Sequence, residues 1–190
     1  MQTVRTPGQR AGLTHAAVLA AARHLVREGG VEALTMRALA RHLQVAPNAL
    51  YSHVQSKTHL LDELIDDLLA TIEQPAPDVT DPIAGLTRVM ASTYLVLTAH
   101  PDLVPLYLTR QGARGPNAVR LGEIVDGLLT RAGVDPDAVP QARRVLVVHA
   151  IGSAAFATAG PDADRPIPVP EMRRNFTDSL RWLLTGITAR

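Results

Sequence analysis

The chain has 190 residues, of which 46% are hydrophobic, 19% charged and 3% aromatic, and it contains no cysteine. This is apolar material enough for one sizeable core or two small ones, so dominant disorder is excluded, as are disulfides, thiolate nucleophiles and cysteine-ligated metals. The formal net charge of +1 hides an asymmetry: residues 1–60 hold seven basic and two acidic side chains, a balance of +5, and the remainder twelve and sixteen, a balance of −4. A basic head on an acidic body is expected when one end meets nucleic acid or an anionic membrane.

No stretch alternates apolar and polar residues over several β-branched or aromatic positions, whereas helical spacing recurs throughout, so the fold is expected to be all-α. The first predicted helix is capped by Thr14 and ends at Gly29 and Gly30, burying Val18, Ala21, Ala22, Leu25 and Val26. A short second helix follows Thr35, with Met36, Leu39, Ala40 and Leu43 on one face. The third is predicted over 47–54, with Pro47 at its first position and Leu50 and Val54 inward. Ser56 caps a longer helix whose stripe is Leu60, Leu61, Leu64, Ile65, Leu68 and Leu69, ending near Glu73. Pro75, Pro77 and Pro82 mark the joint to the acidic body. Beyond it, helices are predicted at about 82–100, 102–109, 116–132, 135–160 and 170–188, with Pro161, Pro166, Pro168 and Pro170 making the segment before the last one stiff or irregular.

The longest uncharged stretch, 145–161, is shorter than a spanning helix needs and contains Gly152 and Ser153. Arg5 and Arg10 ahead of the apolar run 16–22 imitate a signal peptide, but that run continues at helical spacing through Leu25 and Val26, which favours a cytoplasmic protein. Nucleotide-binding, nucleophile-elbow and zinc-protease motifs are all missing, so no catalytic residue and no cofactor is expected. The acidic run Asp62, Glu63, Asp66 and Asp67 reads as a solvated face, and the pairs Arg143-Arg144 and Arg173-Arg174 as surface charge. His100 and His149, without a supporting carboxylate pattern, do not make a metal site.

Two short helices joined by a tight turn inside the basic head have the dimensions of a helix-turn-helix. With Leu50 and Val54 inward, the second helix leaves Pro47, Asn48, Ala49, Ser52 and His53 outward and Tyr51 at the edge, small and polar groups suited to a major groove about 12 Å wide. The stretch 33–64 resembles the DNA-binding domain of the Tet repressor family of bacterial transcriptional regulators. Leu34-Thr35, Arg37, Leu39-Ala40, Val45, Leu50-Tyr51, Ser56-Lys57 and Leu60-Leu61 carry the match in unbroken register. The Tyr51-Ser52-His53-Val54 version resembles the tetracycline-responsive repressors more than the family average.

The resemblance implies an N-terminal arm and three-helix DNA-binding domain at 1–56, a connecting helix at 57–74, and a helical ligand-binding and dimerisation domain at 75–190. It implies phosphate contacts from Thr35, Tyr51, His53 and Lys57. It implies base reading by Arg37, bidentate to guanine, and base-edge contact from Pro47, Asn48 and Ala49, with Ser52 on the same face. Two departures stand out. Gln44 occupies the turn position usually held by glycine, at a cost of roughly 1–2 kcal/mol if it is left-handed. Ala46 stands at the N-cap of the recognition helix, a loss of about 1 kcal/mol.

For the body, the 145–159 segment, with its small residues Ala150, Gly152, Ser153, Ala154, Ala155 and Ala157, and the last helix, with Phe176, Leu180, Leu183, Leu184 and Ile187, form the expected homodimer interface. Tyr94, His100, Tyr107, Arg110, His149 and Phe156 are the polar or aromatic groups on otherwise aliphatic helices and are the candidates to line a small-molecule pocket. The expectation is a repressor released from operator DNA by an apolar effector. A regulator without a small-molecule trigger and a helical-bundle enzyme with a vestigial head are the alternatives.

Overall fold

The structure, a computed structural model, describes residues 13–76, 78–110, 115–158 and 167–189. The expected arm, with Arg5 and Arg10, lies outside these residues, as do Pro77, Pro161 and Pro166. The described residues contain no strand, so the fold is all-α. The chain divides into two compact units, Met1–Leu64 and Ile65–Arg190.

In the first unit α1 (His15–Ala33) starts where Thr14 accepts a hydrogen bond from the Ala17 N–H at 3.1 Å. It is interrupted at Gly30, whose φ of 71° and ψ of −178° suit glycine and end the regular helix where the sequence places its stop. The inward face is Val18, Ala21, Ala22 and Val26, with Leu25 only half-buried. Thr35 caps α2 (Met36–Leu43) through Ala38 N–H at 3.0 Å, and Leu39 and Ala40 are buried.

The third helix, α3 (Pro47–Leu50), is shorter than the predicted 47–54. Tyr51 and His53 N–H groups bond three residues back, to Asn48 at 3.3 Å and Leu50 at 2.9 Å, so the helix tightens into a turn after Leu50. Leu50 and Val54 still point inward. Ser56 accepts from His59 N–H at 3.1 Å and starts α4 (Lys57–Leu69), whose six predicted stripe residues are all buried. The helix stops at Leu69, short of Glu73: Thr71 and Ile72 N–H groups bond three residues back at 3.1 Å, and the Thr71 hydroxyl donates to the Leu68 carbonyl at 2.7 Å. The division between the two units falls within α4.

In the second unit, Asp81 caps α5 (Pro82–Ala99) by accepting from Ile83 and Ala84 N–H groups at 2.9 and 3.1 Å. The predicted helix at 102–109 is a 3-10 turn, Pro101–Leu103, leading into α6 (Val104–Arg110). Then come α7 (Pro116–Arg131), α8 (Val139–Thr158) and α9 (Val169–Thr188). The start of α8 is later than the predicted 135, because Asp135 serves a turn in which its carboxylate accepts from Asp137 N–H at 2.9 Å. Helix α5 packs on α7, α8 and α9, and α8 also meets α6.

Three expectations about this unit are corrected. Phe176, Leu180 and Leu184 of α9, predicted to form a dimer stripe, are buried inside the unit. Phe176 stacks on Tyr94 at 4.3 Å and on His149 at 5.3 Å between ring centres. Ala150 and Ala154 are likewise buried, their small size serving close helix approach within the unit. The acidic run is not uniformly solvated either: Asp66 is 6% exposed and bonds to the first turn of α7. Arg143 is no free surface charge, since it reaches from α8 to Asp126 of α7 at 2.8 Å.

Candidate nucleic-acid interface

The turn between α2 and α3 sets the geometry of the first unit's functional face. Gln44 takes the left-handed conformation, φ 55° and ψ 41°, a geometry that glycine adopts most easily. Its N–H bonds the Arg41 carbonyl at 3.2 Å while Val45 N–H bonds the Ala40 carbonyl at 3.0 Å, closing the end of α2 in a Schellman arrangement. The turn is therefore retained despite the non-glycine residue. Ala46 has an extended backbone and offers no side-chain cap, leaving Pro47, which needs no N–H partner, to start α3.

Thr35, Arg37, Pro47, Asn48, Ala49, Tyr51 and Ser52 are exposed, and His53 and Lys57 are half-buried. Tyr51 is 56% exposed. Thr35 accepts from a helix N–H, which leaves its own O–H to donate outward. Ser52 is different, because its hydroxyl donates to the Ala49 carbonyl at 2.8 Å and keeps only lone pairs for a partner. No acidic side chain occurs in the first turn of α2 or α3, so nothing at either start repels a phosphate.

A brace that periodicity did not reveal holds the end of this face. His15 Nδ1 donates to the His53 carbonyl at 3.1 Å, and its Nε2 lies 3.2 Å from Glu63 Oε1, an oxygen that His59 Nε2 also approaches at 3.4 Å. His15 and Glu63 are far apart in sequence, and the only available clue was the clustering of five histidines in the head.

The second unit contains a cavity of about 440 Å³, within the range of small-molecule sites. Its wall is mostly aliphatic, from Leu69, Ile72, Val89, Met90, Val125 and Ile151, with Tyr107 and Thr93 among the polar groups. Of the candidate pocket residues only Tyr107 lines it. Tyr94 packs under Phe176, and His149 sits on the other face of that ring with Nε2 3.0 Å from Ser179 Oγ. His149 and Phe156 instead line an open groove of about 550 Å³ with Trp182. His100 ends α5 through its N–H to the Leu97 carbonyl, and Arg110 is the last residue of α6. Among the described residues no group of three or more histidine and carboxylate side chains is arranged to hold a metal, and no helix is long and apolar enough to cross a membrane.

A tight-turned helix pair with an exposed, non-acidic face defines a helix-turn-helix protein. Residues 18–64 match the tetR family of bacterial regulatory proteins. An HTH-type transcriptional regulator of Saccharopolyspora erythraea is 33% identical over 141 residues, 74% of this chain and 59% of that protein. The HTH-type transcriptional repressor DrrR1 of Streptomyces coeruleorubidus is 28% identical over 177 residues, 92% and 62% respectively, so the chain spans less than two thirds of either relative. The crystal structure of a TetR variant from Acinetobacter baumannii AYE in complex with minocycline is similar with a TM-score of 0.77 at 30% identity, covering 92% of this chain and 96% of that one. The chain belongs to the TetR family of bacterial regulatory proteins.

Proposed function

We propose that the protein is a homodimeric, one-component transcriptional repressor of the cytoplasm that binds operator DNA and lets go when a small molecule enters its second unit. The observation that carries this reading is the exposed, non-acidic face built by Thr35, Arg37, Asn48, Ala49, Tyr51 and Lys57 around a closed left-handed turn. Arg37 reads guanine through two parallel hydrogen bonds, Asn48 pairs with adenine, Ala49 offers a methyl to thymine, and Thr35, Tyr51, His53 and Lys57 hold phosphates. A two-fold operator needs two copies. The apolar side chains left outside on α8 and α9, Val148, Phe156 and Trp182, at 61, 67 and 70% exposure, supply the surface for the second copy.

Release follows from one helix having a stake in both functions. Lys57 opens α4 at the DNA face, and Leu69 closes it at the cavity wall. An effector that binds better when α4 is tilted draws the pair of recognition helices away from the spacing of about 34 Å that successive major grooves require. A relative that binds minocycline in its crystal structure is consistent with a small-molecule trigger.

The test is selection of an operator from random duplexes by the full chain, followed by fluorescence anisotropy across a salt series. The expected result is a two-fold site bound by two protomers, with affinity falling steeply as salt rises. Equal affinity for selected and random duplexes would overturn the proposal.

A further inference from the structure

This inference rests on the cavity of the second unit being the effector site, and concerns what the effector is. Tyr107 is 4% exposed, lines the cavity, and has no hydrogen-bond partner for its hydroxyl among the described residues. Folding leaves such a group unpaired only at a cost, which a ligand can remove. The other hydroxyl in the wall, on Thr93, already donates to the Val89 carbonyl at 2.8 Å. Arg143 is held by Asp126, and Glu123 is exposed, so neither places an uncompensated charge inside. Burial first, and the nearby Asp66 carboxylate second, push the Tyr107 phenol far above its usual range, so it stays a neutral donor. The same carboxylate makes a negative charge beside the hydroxyl unfavourable.

We propose that the effector is a neutral, mainly hydrocarbon molecule carrying a carbonyl-type oxygen, and that this oxygen accepts the hydrogen bond of the Tyr107 hydroxyl. An anion is disfavoured by Asp66, a pure hydrocarbon leaves the hydroxyl unpaired, and a molecule rich in polar groups finds too few partners on an aliphatic wall.

The test is isothermal titration calorimetry of the full chain, without DNA, using fluorenone and fluorene, which share a ring system and differ in one carbonyl. The wild type should bind fluorenone about 3–10-fold more tightly. Tyr107→Phe should lose this preference, binding fluorenone no more tightly than fluorene because the ketone oxygen is left unpaired, and should melt about 2–4 °C higher without ligand because the unpaired hydroxyl is gone. Absence of binding, equal binding by the wild type, or a preference that survives in Tyr107→Phe would overturn the proposal. Operator binding by the same preparations separates the two readings. If it persists while the ketone preference fails, only the effector chemistry falls; if it is absent while the preference holds, the regulator reading falls and the site stands.

Discussion

Asp66 on α4 closes the N-terminus of α7 through Asn117. Oδ2 of Asp66 accepts from Asn117 Nδ2 at 2.8 Å and from its N–H at 3.2 Å, Oδ1 accepts from Ala118 N–H at 2.9 Å, and Asn117 Nδ2 also donates to the Asp66 carbonyl at 3.2 Å. The local N-cap, Gly115, offers no side chain, and a Cβ there would collide with the Asp66 carboxylate. A carboxylate from another helix thus does the work of a cap, with its charge at the positive end of the α7 dipole.

Removing that carboxylate strands three part-buried donors at once, the Asn117 and Ala118 N–H groups and Asn117 Nδ2. Asp66→Ala is expected to lower stability by about 2–3 kcal/mol, read from urea denaturation. Gly115→Ala should also destabilise the wild type, and should cost less in the Asp66→Ala background, where the carboxylate it strikes is gone and only the Cβ of residue 66 remains in its way. Additive effects in that double-mutant cycle would contradict the packing described.

The turn of the helix-turn-helix carries two local deficits that substitution should relieve. Gln44→Gly removes left-handed strain, offset in part by the freedom glycine has in the unfolded chain, for a net gain of about 0.5–1 kcal/mol. Ala46→Ser supplies the missing cap of α3 and should add about 1 kcal/mol. Thermal unfolding of each variant measures the gain, and unchanged or lower melting temperatures would show that the turn is not under the strain inferred.

His149 has a pKa lowered from 6.5, chiefly by burial, with the backbone hydrogen bond to Phe176 opposing. The folded state therefore binds its proton less readily than the unfolded chain. The stability this residue contributes is complete above pH 6.5 and is lost as pH falls from there through the lowered folded value. His149→Gln should show a smaller loss of stability than the wild type between about pH 7.5 and 5.5. Equal losses in the two proteins would remove His149 from the account.

Much of this architecture was readable because local chemistry decided it. Thr14, Thr35 and Ser56 are caps in the structure as in the sequence, the stripe of α4 is buried as spaced, and the proline at 82 opens a helix. Sequence alone extends the recognition helix to residue 54 because Tyr51, Ser52 and His53 are compatible with helix, and only the tightening after Leu50 distinguishes the turn. Asp66 reads as a solvated charge from sequence because its partners are more than fifty residues away, beyond any local pattern. The stripe on α9 was legible as a stripe, but periodicity cannot say whether it faces its own core or a second copy. The burial of Phe176, Leu180 and Leu184 against their own unit decides that, once α8 and α9 are placed.

Under the proposed function, the face between Thr35 and Lys57 reads DNA sequence, with Arg37 as a base reader. The measurement that bears on it most directly is anisotropy of the wild type and Arg37→Ala on a selected operator and on a scrambled duplex of equal length. Arg37→Ala is expected to weaken operator binding by about 10-fold or more while changing scrambled-duplex binding only slightly. A wild type that does not distinguish the two duplexes, or an Arg37→Ala that weakens both alike, would contradict it.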